Sequence, residues 1–180
     1  MSMAPSPRRY EPARIIVVMG VSSSGKSTIG KRLADALDGP FLDGDGYHPA
    51  ANVEKMRAGT PLTDTDRWPW LERLAGALKD AAETDGRAIG ACSALRRSYR
   101  DYLTKIAGEP ILFVYLKGDK ETIRQRIARR VHEYMPASLL DSQFATLEEP
   151  QADENVLEAP IDASVETIVA RLVAELRLGA

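Results

Sequence analysis

One cysteine, two histidines and three phenylalanines among 180 residues set the first limits on this chain. A lone Cys92 can close no intramolecular disulfide, so packing must hold the fold, as in proteins of a reducing compartment. His132 has no second histidine or cysteine at ligand spacing and is not read as a metal ligand. Long apolar runs are missing too: the longest are strand-length, far short of the ~20 residues that span a bilayer. Charge of one sign is equally scarce. Lys and Arg total 24 against 26 Asp and Glu, a net charge of −2, which leaves no basic footprint for nucleic acid or an anionic membrane. No internal repeat, low-complexity tract or dividing linker is present. What remains, 44% hydrophobic and 28% charged, suits one cytoplasmic domain with a sizeable core. Residues 14–180 are expected to form it. Residues 1–13 are expected to be a tail, because Met1–Pro12 hold prolines and arginines but no apolar signal-peptide region.

Within that domain, strands and helices alternate. Strand-like runs fall at Arg14–Met19, Pro40–Leu42, Arg87–Ala91, Ile111–Leu116 and Val156–Ile161. Helical spacing marks Thr28–Leu37, with Ile29, Leu33 and Leu37 on one stripe, and Trp68–Glu83, with Leu71, Leu74 and Leu78. Further helices are predicted at Ala50–Ala58, Leu95–Ala107, Lys120–Arg130, Ala137–Leu147 and Val165–Leu178. The alternation predicts an α/β fold with a parallel sheet covered on both faces. In such sheets ligands sit beyond the carboxyl ends of the strands.

The residues following the first strand fit that location. Gly20-Val21-Ser22-Ser23-Ser24-Gly25-Lys26-Ser27 matches G-x-x-x-x-G-K-[ST], with Thr28 opening the helix behind it. Glycines let the backbone curl until several N–H groups converge on an anion. Lys26 adds a point charge for the β/γ-phosphates, Ser27 offers a hydroxyl to Mg²⁺, and the helix contributes its positive end. The chain is therefore expected to bind a nucleoside triphosphate.

The other strand ends carry further chemistry. Asp43-Gly44-Asp45 ends in a tight bend, where one carboxylate can hold Mg²⁺ through water and the other can orient or deprotonate an attacking hydroxyl. His48 reads equally as a substrate contact or as part of a helix-capping turn. Thr63–Trp70 holds Asp64, Asp66, Arg67 and two indoles, which suit either a helix cap or the wall of a polar ligand pocket. Ser93 stands where a helix N-cap would, and Arg96 and Arg100 lie one turn apart, able to grip a carboxylate or phosphate or simply to face water. Cys92 reads as a small buried residue rather than a nucleophile. The arginines Arg124, Arg126, Arg129 and Arg130 make a solvated face or, beside a triphosphate, a mobile set that neutralises the transferring group.

Taken together, several ordered segments resemble the thermoresistant-type gluconokinase family. They are Gly20–Thr28, Phe41–Asp45 with His48, Asn52–Met56, Gly59–Trp70, Cys92–Leu95 through Tyr99–Asp101, and Tyr115–Asp119. Ser142–Phe144 and Leu147–Pro150 extend the resemblance, which covers roughly residues 14–172. It implies a three-layer P-loop kinase fold like that of nucleoside-monophosphate kinases, with a five-stranded parallel sheet, a substrate-binding helical region and a lid. It also implies ATP-dependent phosphorylation of D-gluconate to 6-phosphogluconate and a homodimer. Ser23 departs from the family's G-V-S-G-S-G-K-S loop by replacing its middle glycine, and Val131–Ser138 in the lid is idiosyncratic.

On that resemblance, Gly20–Thr28 and Arg126 would hold ATP, with Mg²⁺ on Ser27 and Asp43. Asp45 would take the proton of the acceptor hydroxyl. His48, Lys55, Arg67, Ser93 and Arg100 would bind gluconate, and Lys26 with Arg129 or Arg130 would act on the transferring phosphoryl group. Another small-acceptor kinase, of the shikimate or nucleotide type, stays open from the phosphate loop alone. A GTPase-type switch is disfavoured, because no Asn-Lys-x-Asp run is present.

Overall fold

Ile15–Met19 is apolar at every position and fully buried, as a strand covered on both faces must be. This strand, β1, lies at the centre of a five-stranded parallel sheet in the computed structural model, which describes residues 10–129 and 137–178. The remaining strands are β2 (Phe41–Asp43), β3 (Ala88–Ala91), β4 (Ile111–Lys117) and β5 (Val156–Pro160). Their order is β2-β3-β1-β4-β5, with Val18 of β1 opposite Ala91 on one side and Val114 on the other. All five strand-like runs read from the sequence are strands, within a residue or two at each end.

Helices α1 (Lys26–Leu37) and α7 (Val165–Leu178) pack together on one face, and α3 (Asp64–Asp85) and α4 (Arg97–Ala107) on the other. The shorter helices α2 (Ala50–Arg57), α5 (Lys120–Arg129) and α6 (Ala137–Thr146) border the carboxyl end of the sheet. Leu71, Leu74 and Leu78 of α3 are completely buried, which accounts for their helical spacing. Among the described residues no helix is long and apolar enough to cross a membrane.

Three helix starts differ from the sequence reading, α1 beginning at Lys26 instead of Thr28. Helix α3 begins at Asp64 instead of Trp68, because Thr63 and Asp66 form a reciprocal capping box: the Thr63 hydroxyl accepts from the Asp66 N–H and the Asp66 carboxylate accepts from the Thr63 N–H. Pro69 therefore lies inside the helix, where the carbonyl it leaves without a donor belongs to the exposed residue Thr65. Helix α4 begins at Arg97 with Arg96 as its N-cap, so Ser93 does not cap it. Ala94, at φ 44°, turns the chain between β3 and that helix.

Candidate active site

The phosphate loop leaves the central strand at Gly20, which has φ 149° and donates its N–H to the Ser93 carbonyl at 3.3 Å. A Cβ here would lie 2.9 Å from Ser24 Oγ and 3.0 Å from the Leu116 carbonyl, so only glycine fits. Ser23 (φ 62°) and Gly25 (φ 102°) are both left-handed and supply the curl. Lys26 folds into its own loop, its Nζ 3.0 Å from the Val21 carbonyl. Val21 is buried and anchors the loop, whereas Thr28 is exposed on α1. The Ser24 hydroxyl is buried with no hydrogen-bond partner among the described residues.

Beside the loop, Ser27 Oγ donates to Asp43 Oδ2 at 2.8 Å, so the two predicted metal ligands are in contact. Asp43 Oδ1 accepts the Asp45 N–H at 3.0 Å and opens a 3₁₀ turn over Gly44–Tyr47 that leaves Asp45 exposed. Gly44 is pressed against β3, where a Cβ would sit 2.3 Å from the Ala91 carbonyl. Its own carbonyl accepts Trp70 Nε1–H at 2.7 Å. Cys92, just beyond β3, is buried, and burial pushes its thiol up to about 12, far from a thiolate nucleophile.

His48 stacks on Trp70, with ring centroids 4.0 Å apart and planes 17° apart. Burial, followed by the charge of Arg67, pushes its pKa down to about 4, so the ring is neutral at physiological pH. Asn52 is buried and donates Nδ2–H to the Asp66 carbonyl at 2.9 Å, which fixes its amide orientation. The same nitrogen lies 3.4 Å from His48 Nδ1, which makes Nδ1 the acceptor and leaves the ring proton on Nε2.

Opposite lies a polar wall built by α3 and α4. Arg67 donates to the Tyr99 hydroxyl at 2.9 Å, and that hydroxyl donates to Asp64. Arg96 approaches Asp64 at 3.5 Å, while Arg67 also sits 5.2 Å from the Tyr99 ring centroid. Trp68 meets Tyr99 and Tyr102 edge-on, so the wall is backed by aromatic packing. Lys55 is engaged at its edge, bonding both Asp66 oxygens at 3.0 and 2.8 Å. That contact, with the Thr63 bonds, holds Asp66 down at about 2.

Arg100 requires a correction. It is expected to grip a substrate, but it is buried, and all three of its guanidinium nitrogens bond protein groups. Nε and Nη2 bond Glu154 at 2.7 and 3.2 Å, Nη1 bonds the Ala94 carbonyl at 2.8 Å, and Nη2 also bonds the Glu148 carbonyl at 3.1 Å. Arg96, outside the helix as its cap, is the arginine that reaches the polar wall. Ser93 lies at the β3 end and contributes its carbonyl to Gly20.

On the donor side, Arg126 of α5 bonds the Ser24 carbonyl at 3.2 Å and the Ile161 carbonyl at 2.9 Å, tying the loop to the end of β5. Arg129 is exposed on the same helix, and Arg130 lies outside the described residues. The sequence reading did not single out Gln143, whose side chain bonds Ser22 from α6, nor Asn52. Single uncharged amides repeat no pattern. Only their positions in the Ser142–Phe144 and Asn52–Met56 motifs marked them.

Residues 15–150 match the family described as AAA domain. The chain is 49% identical over 139 residues to the thermosensitive gluconokinase of Escherichia coli K12, covering 77% of this chain and 73% of the relative. It is 44% identical to the thermoresistant gluconokinase of the same organism, covering 92% and 94%. The crystal structure of a gluconokinase from Sinorhizobium meliloti 1021 superposes with a TM-score of 0.81 at 41% identity, covering 91% of this chain and 92% of that one.

Proposed function

This chain belongs to the gluconokinase family, and from that premise we propose that it transfers the terminal phosphoryl group of ATP to a hydroxyl of D-gluconate, giving 6-phosphogluconate. The contact between Ser27 and Asp43, with Asp45 two residues on, carries the reading, since it joins the phosphate loop to an acidic turn. Backbone N–H groups of Ser23 and of Gly25–Ser27, with the Lys26 ammonium, hold the phosphates, the Ser22 N–H being engaged by Gln143. Ser27 and Asp43 fit Mg²⁺ because both offer hard oxygens. No group of three or more His, Cys, Asp or Glu among the described residues forms a complete cage, so phosphate and water must supply the other ligands. When bound, the ion neutralises charge on the phosphates.

The acceptor lies between the acidic turn and the polar wall. Asp45 accepts the proton of the attacking hydroxyl. His48, neutral and protonated at Nε2, donates to a sugar hydroxyl rather than pairing with the carboxylate. Arg67 and Arg96 receive the gluconate carboxylate, with Asp64 and Tyr99 holding them in place. Lys55 supports this wall through Asp66, and Ser93 borders it at the end of β3. Arg126 braces the loop, while Arg129 and Arg130 bring positive charge toward the transferring group. The family resemblance supports a homodimer, which light scattering on the purified protein tests, and a cytoplasmic location, which fractionation of expressing cells tests.

A coupled assay offering ATP with gluconate, shikimate and nucleoside monophosphates tests the function. Turnover with gluconate alone is expected. Faster turnover with either of the others, or ATP hydrolysis without acceptor phosphorylation, would overturn the reading.

A further inference from the structure

Gln143 meets the phosphate loop through both ends of its side-chain amide. Its Oε1 accepts the Ser22 backbone N–H at 2.7 Å, and its Nε2 donates to Ser22 Oγ at 3.0 Å. A backbone N–H can only donate, so the amide has one permitted orientation and its nitrogen must face the hydroxyl. The Ser22 oxygen is thereby an acceptor toward Gln143, and its own proton is directed elsewhere. Ser22 lies three residues before Gly25, the N-cap of α1, so it sits in the loop ahead of the helix start that suits the inner phosphates.

The placement of α6 ties this bond to the acceptor side. Leu140 is buried, and the chain just after the helix is pinned at Glu148. The Glu148 N–H donates to the Leu95 carbonyl at 2.7 Å, its carboxylate accepts the Arg97 N–H at 3.0 Å, and its carbonyl accepts from Arg100 at 3.1 Å. The segment that fixes Gln143 is therefore seated on the β3–α4 connection, which carries Arg96, and on the first turn of α4, which carries Tyr99.

We propose that Gln143 is a positioning residue that holds the Ser22 hydroxyl as an obligate donor to the terminal phosphoryl group of the bound nucleotide. This rests on the phosphoryl-transfer reading and adds a donor that discriminates the terminal phosphate from the inner ones. A hydroxyl whose oxygen is already engaged by a donor needs no reorganisation to present its proton to a developing negative charge.

The test compares S22A, Q143M and the double variant, measuring affinity for ADP and for a β,γ-imido ATP analogue with Mg²⁺ present, then kcat with gluconate. Each single change is expected to weaken the analogue about tenfold, the size of one charge-assisted hydrogen bond, and to leave ADP within about twofold. The double variant should be no worse than either single one. Equal losses for ADP and the analogue, or additive losses in the double variant, would overturn the proposal and leave Gln143 as a brace for loop shape. Should Q143M fail to fold, S22A, a single-atom deletion, still carries the ADP-against-analogue comparison. Lack of turnover with gluconate in the unmodified protein would sink the substrate assignment while leaving the nucleotide comparison intact.

Discussion

Arg100 and Glu154 form a buried ion pair, Nε to Oε1 2.7 Å, with 2% and 7% of their side chains exposed. Two backbone carbonyls, Ala94 and Glu148, add further hydrogen bonds, so each guanidinium nitrogen has a protein partner. Truncating one member of such a pair leaves the other charge buried alone, at a cost of about 3–5 kcal/mol. Arg100→Ala is expected to lower the thermal midpoint by about 10 °C or more, a scale set by the size of the domain. The KM for gluconate of the folded fraction should stay close to that of the unmodified protein. A large rise in that KM without loss of stability would return Arg100 to the substrate site.

Ser23 occupies a left-handed backbone position at φ 62°. Serine meets a steric penalty there that glycine avoids, partly offset by glycine's greater freedom when unfolded. Ser23→Gly should therefore stabilise the protein by about 0.5–1 kcal/mol, and Ser23→Val, with its branched Cβ, should destabilise it and weaken ATP. Denaturant titration with and without nucleotide reads both effects. A stabilising Ser23→Val would mean that the loop changes its curl on substitution.

The buried Ser24 hydroxyl has no partner among the described residues. Removing an unsatisfied buried polar atom relieves a desolvation penalty of about 1–3 kcal/mol, so Ser24→Ala should be neutral or stabilising. Denaturation midpoints settle this directly, and a clear loss of stability would reveal a partner for that oxygen.

His48 controls part of the acid response. In the unfolded chain the imidazole takes a proton near its ordinary value of 6.5, whereas stacked on Trp70 it does so only near about 4. Between those values the unfolded state binds a proton that the folded state refuses. Stability from this group is full above pH 6.5 and declines as the pH falls toward 4. His48→Phe keeps the stacking and removes the titration, so its loss of stability between pH 7.5 and 5 should be smaller than that of the unmodified protein. Identical pH slopes would place the ring in water.

Fold and site were unequally legible. Strands buried on both faces read as unbroken apolar runs, so β1, β3 and β4 stood out in the sequence, while the edge strands β2, ending in Asp43, and β5, with Glu158 exposed, gave shorter or interrupted runs. The phosphate loop was legible because its chemistry demands particular residues at particular spacings. Arg100 misled because helical spacing reveals a shared face but not a partner 54 residues away, and Glu154 decides its role. Helix α3 began early because the Thr63–Asp66 capping box outweighed the stop signal of Pro69. The neutral state of His48 depends on stacking against a residue across the turn, which no local pattern records.

Asp45 is the remaining acid at the strand end. One oxygen of Asp43 bonds Ser27 and the other accepts the Asp45 N–H, and this turn holds Asp45 exposed beside the phosphate loop. Asp45→Asn preserves size and removes the base, so kcat should fall by about 100-fold or more while ATP affinity stays unchanged. Lys26→Ala should instead weaken nucleotide binding as well as kcat, since its charge acts on the phosphates in both ground and transition states. Single-turnover rates and nucleotide titrations on both variants separate the two roles. Near-full kcat in Asp45→Asn would show that the hydroxyl attacks without a protein base, and positioning together with charge neutralisation would then account for the rate.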